Sequence, residues 1–340
     1  MNNKELFHFI KATSAYETAL KDIKDRMEGK ILPISTGWQS VDDTYFDGLE
    51  RGWIVSISGP SGTGKTAFMA QMVDQIIASN DYQMAYLIFS FEMRPDRLMK
   101  RMICREHGVT MDDLYSLKRG KKITQKKFDG FKSNNIPLIG QPSSFVERPL
   151  NHIDIAGHIN YFRKQLISKG YPPEMPLLVV IDHLLLAKNG TGKSGIDDVM
   201  LMENEMKKID PNIVFLNITQ LNRNYDSVER HDPDKPGKHY PVKSDLYGSD
   251  MIWMTSDSII VLTNPSNVGL DYYGMDNLFT TTSDGRPYVF AHHLKNRDAK
   301  GGRVTPFIYT GKHFLFEETE VDAKEEEDIL DDPSDDGIPY

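Results

Sequence analysis

The chain contains little cysteine and no long apolar run. Its 340 residues include one cysteine, Cys104, which excludes an internal disulfide and a cysteine-rich zinc module within this sequence. We expect Cys104 to be a small buried apolar side chain. No apolar run reaches the ~18 residues that a membrane-spanning helix requires, and the first residues lack a signal-peptide pattern. We therefore expect a cytoplasmic protein without a membrane segment.

Negative charge is concentrated at the carboxyl end of the chain. Residues 317–340 hold twelve acidic residues and one lysine, a charge of −11, whereas the whole chain carries −9. Subtracting −11 from −9 leaves +2 for residues 1–316. A segment with so much charge and so few apolar residues is predicted to be disordered. The nearly neutral remainder can still present a basic face to nucleic acid.

The most informative segment is residues 59–66, which fit the phosphate-loop pattern G-x-x-x-x-G-K-[ST]. Such a loop wraps the phosphates of ATP with backbone N–H groups. Here Lys65 would contact the β- and γ-phosphates, and Thr66 would bind Mg²⁺. An apolar run ends at Ser58 and a helical pattern begins at Ala67, so strand, loop and helix arrive in the required order. This order disfavours a chance match. The residues predicted to bind the nucleotide are Gly59, Pro60, Ser61, Gly62, Thr63, Gly64, Lys65 and Thr66.

Apolar runs alternate with helical patterns through the middle of the chain. Several runs are continuous, as in strands that helices cover on both faces, so we predict an α/β fold with a mostly parallel sheet flanked by helices. Residues 222–245 are polar, lack an apolar period and are predicted to form a functional or mobile loop. The predicted strands are residues 54–58, 84–91, 177–182, 213–219, 258–262, 289–295 and 304–309.

The patterns divide the chain into a helical arm (1–33), a core (34–316) and a disordered acidic tail (317–340). The arm carries one apolar stripe at three- and four-residue spacing. That stripe can cover this subunit's own core or a neighbouring subunit. Its residues are Leu6, Phe9, Tyr16, Leu20, Ile23 and Met27.

Two carboxylates that follow predicted strands complete a hydrolytic site. Asp182 ends an apolar strand, so it should lie at the carboxyl edge of a parallel sheet beside the phosphate loop and hold Mg²⁺ together with Thr66. Glu92 follows the strand at 84–91 and is predicted to orient or deprotonate the attacking water. The alternatives are a surface carboxylate for Asp182 and, for Glu92, a helix-start acid that favours the dipole.

Three further side chains are predicted to take part in catalysis. Gln220 ends a strand, where its amide can contact the γ-phosphate and report its loss to the following loop. Lys295 and Arg297 are one residue apart on a strand end and therefore point the same way. Such a pair suits the stabilisation of transition-state charge, as an arginine finger does. The alternatives are a satisfied polar residue at a strand end for Gln220 and a solvated cationic strand end for Lys295 and Arg297.

These segments, in this order, resemble the RecA-like core of DnaB-type replicative helicases and of phage and Twinkle-like replicative helicases. The resemblance covers residues from about 34 to 312. The combination of F-E-M, Q-L-N-R and K-x-R is much more specific than the phosphate loop alone. The resemblance also rests on an entry segment (S-T-G-W at 35–38, Asp42 and G-L-E-R-G at 48–52), on T-S-D-S at 255–258 and on five further motifs. These five are F-S-F-E-M at 89–93, I-D at 181–182, T-Q-L-N-R at 219–223, S-D-L-Y-G-S at 244–249 and K-N-R at 295–297.

The resemblance implies an ATP-dependent DNA helicase that forms a ring, usually a hexamer, with ATP and Mg²⁺ between subunits. Lys295 and Arg297 would then reach the γ-phosphate bound by a neighbour, and the arm would dock on that adjacent subunit. Loops in the channel would grip single-stranded DNA without base readout. The residues that the resemblance assigns to DNA binding are Arg223, Tyr247, Gly248 and Ser249.

The chain departs from the family pattern at three positions. Asp250 places an anion where a glycine is frequent, and Tyr247 replaces a commonly basic residue. DNA contact would then rely on the backbone N–H groups of Gly248 and Ser249. His183 follows the Mg²⁺ aspartate where tyrosine is common, and we expect little effect from it.

The acidic tail resembles in composition the tails with which phage replicative helicases contact their polymerase. It favours a phage-encoded protein whose tail binds a replisome polymerase or primase, although a solubilising tail is the alternative. Two other functions stay open: a recombination ATPase of the RecA or RadA kind, and a DNA-independent ATPase or scaffold of the same fold.

Overall fold

The computed structural model describes residues 9–81, 83–116, 123–133, 136–188, 195–235, 237–274, 279–298 and 301–320. The predictions for Leu6 in the arm and for residues 321–340 of the acidic tail lie outside the described residues. None of the helices in these ranges combines the length and the apolar character that crossing a membrane needs.

Helices and strands alternate along most of the chain. The helices are α1 (Ala12–Met27), α2 (Gln39–Asp42), α3 (Lys65–Ser79), α4 (Pro95–His107), α5 (Met111–Tyr115), α6 (Gln125–Ser133), α7 (His152–Ser168), α8 (Ile196–Ile209) and α9 (Ser249–Thr255). The strands are β1 (Ile54–Ser58), β2 (Ala85–Ser90), β3 (Ser143–Val146), β4 (Leu177–Asp182), β5 (Ile213–Ile218), β6 (Ser258–Thr263), β7 (Tyr272–Tyr273), β8 (Phe279–Thr280), β9 (Thr282–Ser283), β10 (Arg286–Asn296), β11 (Val304–Thr310) and β12 (Leu315–Glu318).

One large sheet organises the molecule. Six neighbouring strands run parallel in the order β6-β1-β5-β4-β2-β3, and β10, β11 and β12 extend the sheet beyond β6 as antiparallel strands. Every residue of β1, β2, β4, β5 and β6 is buried. Strands this apolar on both faces need a helical layer on each side. Because the six strands are parallel, the segments that follow them meet at one edge of the sheet.

Two apolar clusters cover the two faces. On one face α3 and α4 pack against alternate strand residues, such as Val55 and Ile57 of β1. On the other face α7, α8 and α9 pack against the residues in between, such as Ile54. The α/β fold with a mostly parallel, doubly covered sheet is therefore confirmed. Cys104 is fully buried on α4, as expected of a small apolar side chain.

Each of the seven predicted strands is present, with its ends within three residues of the prediction. The strand β3 was not predicted, since it begins with two serines and its residues are only half buried. The strand β12 was not predicted either, and it ends two residues beyond the predicted end of the core. There the Glu318 carboxylate accepts hydrogen bonds from the backbone N–H groups of Gln39 and Ser40 at 3.1 and 2.7 Å.

The polar stretch 222–245 contains short 3-10 turns, and its described residues form no α-helix or strand. The Asn222 N–H joins its two ends by donating to the Asp245 carbonyl at 2.7 Å, and the Arg230 guanidinium in its middle forms a bidentate ion pair with buried Asp245, with both N···O distances 2.9 Å. This loop is thus structured by a charge pair together with the buried ring of Tyr225 and the packing of Tyr240 against an apolar cluster.

The arm helix α1 buries none of its residues. Tyr16, Leu20, Ile23 and Met27 are all exposed, which disfavours the alternative in which the stripe covers this subunit's own core. Arg26 attaches the helix to the core through Glu50, with N···O distances of 2.9 and 2.7 Å.

Candidate active site

The phosphate loop joins the carboxyl end of β1 to the first turn of α3. Gly59, Gly62 and Gly64 have φ values of 152°, 84° and 88°, which L side chains rarely adopt. A Cβ on Gly59 would clash with the carbonyl oxygen of Leu262. A Cβ on Gly64 would lie 2.9 Å from the Phe316 ring. Glycine is therefore required at both positions for the loop to keep its shape.

Lys65 lies inside the loop it belongs to. Its Nζ donates hydrogen bonds to the carbonyls of Gly59 and Pro60, both at 2.8 Å. Burial lowers the pKa of Lys65 to about 8, and the charges of Glu92 and Asp182 oppose that shift. A phosphate group would replace the two carbonyls as partner and would raise the pKa of the lysine again, because a nearby negative charge favours the ammonium form.

Thr66 and Asp182 meet at the adjacent strand end. The Thr66 hydroxyl donates to Asp182 Oδ1 at 3.4 Å, and Asp182 Oδ2 is buried without a hydrogen-bond partner. Burial, followed by the charge of Glu92, raises the pKa of Asp182 to about 6. A hydroxyl beside a carboxylate with an unpartnered oxygen fits Mg²⁺, which prefers oxygen ligands and retains several from water and phosphate. Within the described ranges, no cluster of three or more His, Cys, Asp or Glu side chains could hold a metal by itself, so phosphate and water would complete the shell.

Glu92 and Gln220 line the same cleft as Lys65. Glu92 follows β2 and Gln220 follows β5, and both are exposed. The cleft has a volume of about 250 Å³ and also includes Tyr309, whose ring stacks on Phe316 with centroids 4.3 Å apart. The carboxyl ends of β1, β2, β4 and β5, together with that of β11, which runs in the same direction, thus bring together the predicted water-orienting, sensing and phosphate-binding residues.

Lys295 and Arg297 lie away from this cleft. Lys295 pairs with Ile259, the second residue of β6, and the Arg297 N–H donates to the carbonyl of Asp257, which directly precedes β6. From there the Lys295 ammonium reaches back to the carbonyls of Trp253 and Ser256, the latter at 2.7 Å. The pair therefore occupies the amino-terminal edge of the parallel strands, opposite the phosphate loop.

Both cations are held by the end of α9. Arg297 Nη2 donates to the Met254 carbonyl at 3.2 Å, and Arg297 Nε lies 3.1 Å from Asp257 Oδ1. Burial lowers the pKa of Lys295, and the Arg297 charge adds to that shift. The two side chains contact different residues of the same segment, 253–257, which agrees with the prediction that they point the same way.

The predicted DNA segment lies at the other end of α9. Gly248 has φ 69° and precedes the helix, and the Tyr247 N–H donates to the Gln220 carbonyl at 3.1 Å. Arg223 is exposed in a 3-10 turn three residues after Gln220. Asp250 is exposed and lies 4.0 Å from the Lys243 ammonium. The structure thus places Tyr247 and Gly248 beside Gln220; for Ser249 it fixes only the position at the start of the helix.

Comparison with protein families identifies the chain. A model of the DnaB-like helicase C terminal domain matches residues 33–308. The chain belongs to the DnaB-like helicase C terminal domain family. The resemblance inferred from the motifs is therefore confirmed.

Curated relatives share about a quarter of the aligned residues. The replicative DNA helicase DnaB of Nostoc sp. is 25% identical over 248 residues, covering 71% of this chain and 25% of that protein. DnaB of Geobacillus stearothermophilus is 26% identical over 262 residues, covering 74% of this chain and 50% of that protein. The chain thus spans half or less of the length of these relatives.

Two solved structures share the fold. One is described as an ATPase domain and aligns with a TM-score of 0.67 at 17% identity, covering 89% of this chain and 98% of that one. A DnaB-like replicative helicase, studied with its interactions with primase, aligns with a TM-score of 0.68 at 18% identity, covering 92% and 68%. The RecA-like fold predicted for this family member is therefore confirmed.

Two cleft residues were missed by sequence reasoning. Arg101 on α4 lines the cleft, with its guanidinium 5.0 Å from the Phe314 ring centroid. Its position three residues after buried Leu98 was the available signal, since that spacing puts both on one face of a helix. His183 also lines the cleft, is almost fully buried and has an unpartnered Nε2. Burial, followed by the charge of Lys65, lowers its pKa to about 4.

Proposed function

We propose that this chain is the ATPase core of a replicative DNA helicase that forms a ring and translocates on single-stranded DNA. One observation carries the proposal. The phosphate loop lies at the carboxyl edge of the parallel strands, whereas Lys295 and Arg297 lie at the opposite edge. Cations placed there are poorly sited for their own nucleotide and well sited for one bound by a neighbouring subunit.

Within one subunit the cleft would bind ATP and hydrolyse its terminal phosphate. The loop backbone and Lys65 would cradle the phosphates, while Thr66 and Asp182 would hold Mg²⁺, which neutralises charge on the phosphate oxygens. Glu92 would orient or deprotonate the attacking water, and Gln220 would contact the γ-phosphate. Both side chains are exposed at the cleft, so each can reach substrate without displacing a core partner.

Between subunits, Lys295 and Arg297 would complete the site in trans. The side chain of Arg297 is 43% exposed, with its Nε held by Asp257 and its Nη2 on the Met254 carbonyl, so its exposed part would face a partner. The core (34–316) would form the ring, and the exposed stripe of the arm (1–33) would dock on the adjacent subunit. A homo-hexamer fits this arrangement.

Single-stranded DNA would be contacted by Arg223, Tyr247, Gly248 and Ser249. Asp250 is an anion in this segment, so contact would depend on backbone N–H groups and on the exposed Arg223. Because such contacts read phosphates rather than bases, binding should be salt-sensitive and tolerant of sequence.

The acidic segment 317–340 would bind a polymerase or primase of the same replisome, and its composition favours a phage-encoded protein. One structural relative was studied with its interactions with primase, which makes primase a reasonable partner to test first.

The test is the steady-state ATPase rate with and without single-stranded DNA, at low and moderate salt, with Lys65→Ala as the inactive control. We expect stimulation by DNA that weakens with salt, and a rate in Lys65→Ala at least about 100-fold lower. A Lys65-dependent rate that DNA leaves unchanged would favour the DNA-independent ATPase or scaffold. Helical filaments instead of closed rings in negative-stain images would favour the recombination ATPase.

A further inference from the structure

Asp257 forms a buried junction between three elements. It precedes β6 and is 3% exposed. Its Oδ1 pairs with Arg297 Nε at 3.1 Å, while its Oδ2 accepts from the Ile54 N–H at 2.8 Å and pairs with Lys207 Nζ at 2.5 Å. Both carboxylate oxygens are therefore occupied, one by Arg297 and the other by the sheet and α8.

The backbone of the same residue fixes the strand that carries Arg297. The Asp257 N–H donates to the Ile54 carbonyl at 2.8 Å, and the Arg297 N–H donates to the Asp257 carbonyl at 2.9 Å. Asp257 thus contacts Arg297 through main chain and side chain at once, from a position tied to the centre of the sheet.

We propose that Asp257 is a positioning residue for the trans-acting Arg297: it holds the guanidinium by its Nε, while Nη2 donates to the Met254 carbonyl at 3.2 Å, and so orients the exposed side chain toward the neighbouring subunit's nucleotide. The inference rests on the proposed function, in which Arg297 acts in trans. A guanidinium is planar, so fixing one edge fixes the direction of the remaining donors.

The geometry explains why a carboxylate is needed at this position. Two cations, Arg297 and Lys207, each require an acceptor, and the carboxylate supplies one oxygen to each. An asparagine would supply one oxygen and turn an N–H₂ group toward a cation. The guanidinium would then lose its fixed orientation before the subunits meet, and misplacement of a catalytic group by about 1 Å can cost about 100-fold in rate.

The experiment compares Asp257→Asn with Lys207→Met, which removes the cation on the other carboxylate oxygen. Both changes break one ion pair of the same junction, so both should lower the unfolding temperature. We expect kcat for DNA-stimulated ATP hydrolysis to fall about 10- to 100-fold in Asp257→Asn, with KM for ATP nearly unchanged. Lys207→Met should keep kcat within about threefold, since Arg297 retains its oxygen.

A double-mutant cycle with Arg297→Ala separates positioning from a general structural role. If Asp257 acts through Arg297, Asp257→Asn should cause no further loss of kcat in the Arg297→Ala background. A further loss of about 10-fold or more, on the order of the single-mutant effect, would overturn the proposal. Should Asp257→Asn fail to fold, Asp257→Glu serves in its place, because it keeps the charge and shifts the oxygens by one methylene.

Arg297→Ala and Asp257→Asn together distinguish a failure of the proposed trans role of Arg297 from a failure of the proposed role of Asp257. If Arg297→Ala leaves kcat unchanged, the trans role of Arg297 is wrong and with it the proposed arrangement of the ring. If Arg297→Ala lowers kcat while folded Asp257→Asn does not, the helicase proposal stands and Asp257 is only structural.

Discussion

The backbone N–H of Tyr247 donates a hydrogen bond to the carbonyl oxygen of Gln220 at 3.1 Å. An isolated bridge between Leu221 and Leu246 continues the pairing. The residue proposed to sense the γ-phosphate and the segment proposed to contact DNA are thus joined through main chain. A shift of Gln220 on phosphate release would be transmitted directly to the start of α9.

Replacement of Gln220 by alanine should weaken the link between DNA binding and hydrolysis. The alanine removes the amide that contacts the γ-phosphate but keeps the backbone bond to Tyr247. We expect the ratio of DNA-stimulated to basal ATPase rate to fall about 5- to 30-fold. Gln125→Ala, on an α6 surface that buries no residue, is the matched control. An unchanged ratio in Gln220→Ala would show that the amide does not couple the two sites.

Arg297→Ala subunits should inhibit mixed rings more than in proportion to their number. Each such subunit would disable the site of its neighbour while its own phosphate loop remains intact. The measurement is ATPase rate against the fraction of Arg297→Ala subunits mixed with wild type. Arg286→Ala, which alters an exposed arginine on the same strand β10, should give the wild-type rate at every fraction. A linear decline with Arg297→Ala would indicate that the arginine acts within its own subunit.

Alanine should be tolerated less well at Gly59 than at Gly62. A Cβ at Gly59 would clash with the backbone oxygen of Leu262, whereas nothing lies within 4 Å of a Cβ at Gly62. Both positions have positive φ, so each substitution carries a backbone strain of about 1–3 kcal/mol. We expect Gly59→Ala to lose a further ~1–3 kcal/mol from the clash, measured by urea unfolding without nucleotide. Equal losses in the two variants would contradict the structure of the loop.

The buried carboxyl of Glu203 should make the stability of the protein depend on pH. Burial raises its pKa from 4.5 to about 8, opposed by the Asn217 amide and the Lys207 charge. Below pH 4.5 the folded and unfolded chains both carry the proton; between 4.5 and about 8 only the folded chain does. The contribution of Glu203 to the free energy of unfolding therefore falls as pH rises through this window.

Glu203→Gln should remove that dependence. We expect it to be more stable than wild type at high pH by at least about 1 kcal/mol, and not at pH near 5. The check is the unfolding temperature of both proteins across this range. Glu205→Gln alters an exposed carboxylate of the same helix and should follow the wild-type curve. A Glu203→Gln curve parallel to wild type would mean that the buried group keeps an ordinary pKa.

The features that the sequence predicted correctly are those that neighbouring residues encode. The seven predicted strands and the phosphate loop depend on runs of neighbouring apolar residues and on glycine spacing, and all are present. Asp182 was found because a buried strand ends with it. The strand β12 was missed because its acidic residues match the composition of the tail, although Glu318 caps the backbone near Gln39. That contact joins residues 279 positions apart and leaves no local pattern.

The candidate site likewise combines residues that a local sequence pattern indicates and residues that no local pattern indicates. Residue types and spacing indicated the roles of Lys65, Glu92 and Gln220, which stay predictions, and their convergence followed from the parallel sheet. The burial of His183 against the cleft could not be read from its place after Asp182, because burial depends on packing by segments distant in sequence. The Leu185 N–H donates to its Nδ1, whereas its Nε2 is buried without a hydrogen-bond partner.

The sequence by itself determined that this chain is an α/β protein with a phosphate loop, and its ordered motifs indicated the family. Only the tertiary structure decided that Lys295 and Arg297 lie opposite that loop and that Asp257 fixes one of them. The reason is physical. Apolar periodicity and glycine spacing act over a few residues. In contrast, the position of the end of β10 in the sheet depends on its antiparallel pairing with β6, whose register shifts between His293 and Lys295. No short segment encodes that pairing, so the direction of the cations emerges only when the whole sheet has formed.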